Sequence, residues 1–113
     1  MPVGRIGKYD IDYIDEGVGV PILFMHGLAG DVSAWAPQIQ ALKGRYRVVA
    51  FDNRGAGRRT QVHEPVTTAD LANDTIGFMD ELGLTNAHVV GRSMGGAIAQ
   101  IVALQRPELI RSL

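Results

Sequence analysis

The segment Gly91-Arg92-Ser93-Met94-Gly95 sets a serine hydroxyl midway between two glycines. Before it, Ala87-His88-Val89-Val90 reads as a short strand. After it, Ala97 to Gln105 reads as an apolar helix stopped by Pro107. A serine on a turn running directly from strand to helix is held in a strained backbone conformation. Side chains two positions to either side of it would clash with the flanking elements. Gly91 and Gly95 meet that demand. Such a turn also lifts the hydroxyl to the N-terminus of the following helix, whose free N–H groups and dipole favour developing negative charge. Ser93 is thereby placed to attack a carbonyl.

A serine used this way needs a general base. His26, His63 and His88 all precede Ser93, and the one carboxylate side chain after it is Glu108, beyond Pro107 at the far end of the helix. His88 lies five positions upstream on the incoming strand, about 17 Å away at roughly 3.3 Å per residue. It cannot serve as base from there. His63 stands in a polar connection, and nothing in the sequence forces it over the serine. His26 ends a buried strand and reads as structural.

The elements that must position Ser93 follow from periodicity. Tyr9, Ile11 and Tyr13 alternate with Asp10 and Asp12, as in a half-buried strand near a sheet edge, and the first hairpin is expected to be antiparallel. Pro21 to Met25 is apolar without alternation and stops at His26-Gly27, which fits a strand buried on both faces. A short helix is expected from Ser33 as cap, through Trp35, Ile39 and Leu42, to Gly44. The strand Tyr46 to Phe51 then delivers Asp52-Asn53-Arg54-Gly55 to a glycine-rich loop. Thr68 is the expected cap of a helix whose Leu71, Thr75, Phe78, Met79 and Leu82 share a face, with Gly83 as its stop. Strands alternating with helical crossovers give an α/β class: a mostly parallel sheet with helices on both faces.

With 46% hydrophobic residues, 20% charged residues and a net charge of −1, the 113-residue chain suits one globular domain rather than a disordered or fibrous one. Near-neutral charge argues against nucleic acid and anionic membrane as partners, and Arg54, Arg58 and Arg59 read as solvated surface. The absence of cysteine removes disulfides, thiolate metal sites and cysteine nucleophiles. No apolar run approaches the roughly 20 residues of a spanning helix, and the first residues lack a signal pattern, so a cytoplasmic protein without cofactor or metal is expected.

At this point the chain resembles the α/β-hydrolase family. His26-Gly27-Leu28-Ala29-Gly30 is similar to its oxyanion loop after the third strand, and Trp35 to an aromatic at the next helix start. Asp52-Asn53-Arg54-Gly55-Ala56-Gly57 is similar to its D-x-R-G-x-G loop, and Gly91 to Gln100 to the nucleophile turn of serine esterases, enol-lactonases and cofactor-free haloperoxidases. The resemblance implies that Ser93 is the nucleophile and that the backbone N–H groups of Leu28 and Met94 bind the oxyanion. Each such donor matters by roughly two to three powers of ten in rate. His26, Gly27, Asp52, Arg54, Gly91 and Gly95 are then structural motif residues, Asp52 and Arg54 as an ion pair or hydrogen-bonded loop brace. The implied substrate is a small-molecule ester or lactone rather than a haloalkane or epoxide, whose enzymes carry aspartate at the nucleophile position. Arg92 and Arg59-Thr60 depart from the family pattern.

In this family the triad runs serine, acid, histidine along the chain, so residues 1–113 are expected to be the N-terminal half of the domain. The strand at Ala87 to Val90 is then expected to be an unpaired edge, open to self-association or to a complementary C-terminal chain. Two competing readings remain. One is a non-catalytic interaction fragment that keeps the fold's first half, with Ser93 as an ordinary helix cap. The other is nucleotide binding, prompted by Gly55-Ala56-Gly57 and Gly95-Gly96. It is weakened by Thr60 in the place of a fingerprint glycine and by the lack of a G-K-[ST] loop.

Overall fold

The computed structural model describes residues 2–27, 30–56 and 64–113. In chain order its strands are β1 (Val3–Ile6), β2 (Tyr9–Glu16), β3 (Pro21–Met25), β4 (Arg47–Phe51), β5 (Ala87–Gly91) and β6 (Ile110–Ser112). Its α-helices are α1 (Ala36–Leu42), α2 (Thr68–Leu82) and α3 (Met94–Gln105). The strands form one sheet in the order β1-β2-β4-β3-β5-β6. The expected antiparallel hairpin joins β1 to β2, and β2 is antiparallel to β4, while β4, β3, β5 and β6 run parallel.

The central strands lack polar alternation because each of their faces is covered. Ile22 and Phe24 of β3, with Val48 and Ala50 of β4, pack against Val32, Trp35 and Ile39. Leu23, Met25, Val49 and Phe51 turn the other way, against Leu71, Phe78 and Met79 of α2 and Ile98 and Val102 of α3. Phe51 stacks on Phe78 with ring centroids 4.6 Å apart, a pairing that adds to simple burial.

The helix starts differ from expectation. The segment after β3 begins as a 3-10 turn, Val32–Trp35, capped by Asp31, whose side chain accepts the Ser33 N–H. Thr67, not Thr68, caps α2, because Asp70 at the third helical position returns a bond to the Thr67 N–H and completes a capping box. That exchange holds the Asp70 carboxyl below its ordinary value, with the Thr67 N–H as the largest cause. Gly83 ends α2 at φ +68°, and the Leu84 N–H closes back on the Met79 carbonyl at 2.8 Å.

The expected bare edge at β5 is in part covered. Pro107 ends α3, a 3-10 turn buries Leu109, and the last residues lie along β5, pairing Ala87 with Ile110 and His88 with Ser112. Higher on the strand, Val90 is 40% exposed.

Candidate active site

The turn between β5 and α3 is closed by backbone against backbone. Ser93 sits at φ +56°, ψ −122°, a region that residues other than glycine enter only when their surroundings force them. A Cβ added at Gly91 would lie 2.6 Å from the Gly95 carbonyl oxygen, and one added at Gly95 only 2.2 Å from the Met25 oxygen. Both glycines are therefore spacers that let α3 start directly on top of β3 and β5. Gly27, after β3, packs onto the same turn, since its Cβ would stand 3.1 Å from the Ser93 Cβ and 3.5 Å from the Met94 nitrogen.

This close packing brings α3 forward of its expected start at Ala97, to Met94. The N–H groups of Gly95 and Gly96 are spent on the Arg92 and Ser93 carbonyls, at 2.9 Å each, and the Met94 N–H takes no part in these bonds. The Ser93 side chain makes no capping bond, so its hydroxyl is not consumed as an ordinary helix cap. Ser93 is exposed.

The loops beside the serine are fixed by charge. Asp52, 3% exposed at the end of β4, accepts the Val32 N–H at 2.7 Å, and its carboxylate lies 3.9 Å from His26 Nε2. Burial pushes the Asp52 carboxyl up, against the opposing pull of the Val32 N–H and of His26. His26 is also buried, and its Nδ1 lies 3.0 Å from the Gly27 carbonyl oxygen. Arg54 pairs with Asp74 of α2 rather than with Asp52, through two bonds of 2.9 and 2.7 Å. Asp52 and Arg54 thus brace their loop through separate partners.

A cavity of about 440 Å³ opens over the serine, lined by His26, Gly27, Gly30, Ala34, Trp35, Gln38, Arg92 and Ser93. His88 points its chemistry elsewhere, with Nδ1 2.6 Å from the Ser112 hydroxyl. Leu28, Gly57, Arg58, Arg59, Thr60 and His63 lie outside the described residues. No group of acidic, histidine or cysteine side chains suited to a metal occurs among the described residues. None of the described helices is long and apolar enough to cross a membrane.

The model of the alpha/beta hydrolase fold matches residues 20–113. The chain belongs to this family. RutD of Azorhizobium caulinodans, provisionally named a carbamate hydrolase, is 38% identical across all 113 residues, which span 43% of its own length. The enol-lactonase of Burkholderia xenovorans LB400 superposes with a TM-score of 0.88 at 31% identity, over 96% of this chain and 44% of that one. Est816, described as an N-acyl homoserine lactone degrading enzyme, superposes at 0.89 and 29% identity, over 96% of this chain and 42% of that one. The α/β-hydrolase chain thus spans less than half the length of these relatives.

Asp74 is the site-supporting residue that the motifs of this α/β-hydrolase do not reveal. The signal was available in helix geometry. Leu71, Asp74, Thr75 and Phe78 follow the i, i+3, i+4, i+7 rule, so Asp74 lies on the inward stripe of α2, where an acid requires a cation.

Proposed function

We propose that this chain is part of a serine hydrolase that cleaves carboxylic esters or lactones through an acyl-enzyme on Ser93. The Ser93 oxygen adds to the carbonyl carbon and its proton passes to a base. As the carbonyl re-forms, its bond to the alcohol oxygen breaks and the base returns the proton to that oxygen, releasing the alcohol of an ester or opening the ring of a lactone. Water then adds to the acyl carbon and releases the acid, with the serine hydroxyl restored. In this reading the backbone N–H groups of Met94 and of Leu28, which follows His26-Gly27 in the sequence, are the oxyanion donors. The observation that carries this reading is the Ser93 backbone at φ +56°, ψ −122° between two glycines with no room for a Cβ, at the wall of a 440 Å³ cavity. Relatives named as hydrolases of lactones and carbamates support the same acyl chemistry.

A second reading, a non-catalytic interaction fragment, is favoured by one observation. Among the described histidines, His88 is engaged with Ser112, and His26 is buried between the Gly27 carbonyl and Asp52. Incubation with a fluorophosphonate, followed by intact-mass measurement, separates the two readings. The hydrolase reading expects one adduct that Ser93→Ala abolishes. A folded sample that stays unlabelled both alone and mixed with a complementary C-terminal chain supports the interaction fragment instead.

A further inference from the structure

The cavity over Ser93 is chemically lopsided. Arg92 lines it, and no aspartate or glutamate does among the described residues. Three other arginines are committed: Arg47 to Asp15 at 2.7 Å, Arg54 to Asp74 at 2.7 Å and Arg106 to Asp80 at 3.2 Å. Arg92 has no carboxylate partner among the described residues, although its backbone is anchored one residue before the serine by its N–H bond to the Met25 carbonyl, 3.1 Å. Arg92 is exposed and lines the cavity one residue before Ser93, so a planar fork of donors is rooted at the cavity wall.

We infer that Arg92 selects substrates by charge: the ester or lactone taken at Ser93 carries a carboxylate close to its acyl carbonyl. For the bond that breaks, this rests on the hydrolase reading above; for the charge, it rests on the cavity alone. One guanidinium balances one singly charged carboxylate, whereas a phosphate dianion calls for further cations that the described lining lacks.

The test is a titration of the whole 113-residue chain with monomethyl glutarate and with dimethyl glutarate, read from the amide signals of Gly27 and Gly30. The charged monoester binds roughly twofold to fivefold tighter than the neutral diester, the range expected of a solvated ion pair. Arg92→Ala erases the difference and Arg92→Lys restores part of it, while Arg111→Ala, at an exposed position away from the cavity, leaves it intact. Raising the salt to about 0.5 M narrows the gap. Equal affinities, tighter binding of the diester, a preference that survives Arg92→Ala, or no binding of either compound would overturn the inference. Fluorophosphonate labelling of the same samples tells the two failures apart. An adduct without charge preference removes the role of Arg92 alone, and charge preference without an adduct removes the hydrolase reading alone.

Discussion

Two turns leave the sheet on either side of β3 and are built on opposite principles. At the end of β5 the chain turns by omission. Gly91 and Gly95 carry no side chains, and a Cβ added to them would lie only 2.6 and 2.2 Å from carbonyl oxygens. At the end of β4 the chain turns by addition, with Asp52 gripping the Val32 N–H and Arg54 gripping Asp74. The first turn is specified by volume. The second is specified by charge and contains a carboxyl, that of Asp52, which burial raises.

The sharpest way to break this comparison is to add one carbon to the turn at β5. Gly95→Ala forces a Cβ to within 2.2 Å of the Met25 oxygen, a backbone atom that cannot swing aside. We expect a loss of about 3 kcal/mol or more. Gly96→Ala is its control, since that Cβ meets nothing closer than 3.4 Å, and the change stays within about 1 kcal/mol, with helix propensity in its favour. Urea unfolding of both variants measures the contrast. Similar midpoints would mean that the glycines do not space the turn.

At the β4 turn the expected loss is smaller. The Arg54 and Asp74 side chains are 19% and 10% exposed, and Arg54 also lies 5.3 Å over the Tyr9 ring. Asp74→Ala strands the guanidinium and Arg54→Ala strands the carboxylate, each costing about 1–3 kcal/mol. The double variant costs clearly less than the sum of the two, because neither group is then left alone. Losses that add without coupling would show that the pair does not hold this turn to α2.

The two turns were also unequally legible in the sequence. Glycines at fixed distances from Ser93, between a β-rich run and an apolar run, specify their turn because the constraint is local and steric. The charged turn depends on partners 20 residues away in each direction, Val32 for Asp52 and Asp74 for Arg54. Residue types alone suggested a brace and left its partners open. The start of α2 moved by one residue because Thr67 and Thr68 are equally good caps in isolation, and only the reach back from Asp70 chooses between them. The cover over the lower part of β5 is not legible in the sequence because a three-residue strand has almost no periodic signal.

The smallest effect, and the finest probe of the contrast, is the pH response of Asp52. Its carboxyl is raised above 3.8 in the folded chain, chiefly by burial, so the folded state holds this proton more tightly than the unfolded state does. Stability contributed by that proton is therefore present at low pH and declines as pH rises from about 4 to the raised folded value, with a slope of at most about 1.4 kcal/mol per pH unit. Asp52→Asn keeps an oxygen for the Val32 N–H but cannot titrate, so its stability curve should be flatter than the parent's across that window. Urea midpoints collected between pH 4 and 7 measure the slopes, with Gly96→Ala as the variant whose slope should match the parent. Identical slopes for Asp52→Asn and the parent would mean that Asp52 titrates as it does in the unfolded chain, and the turn after β4 would then be no more sensitive to protonation than the glycine turn beside it.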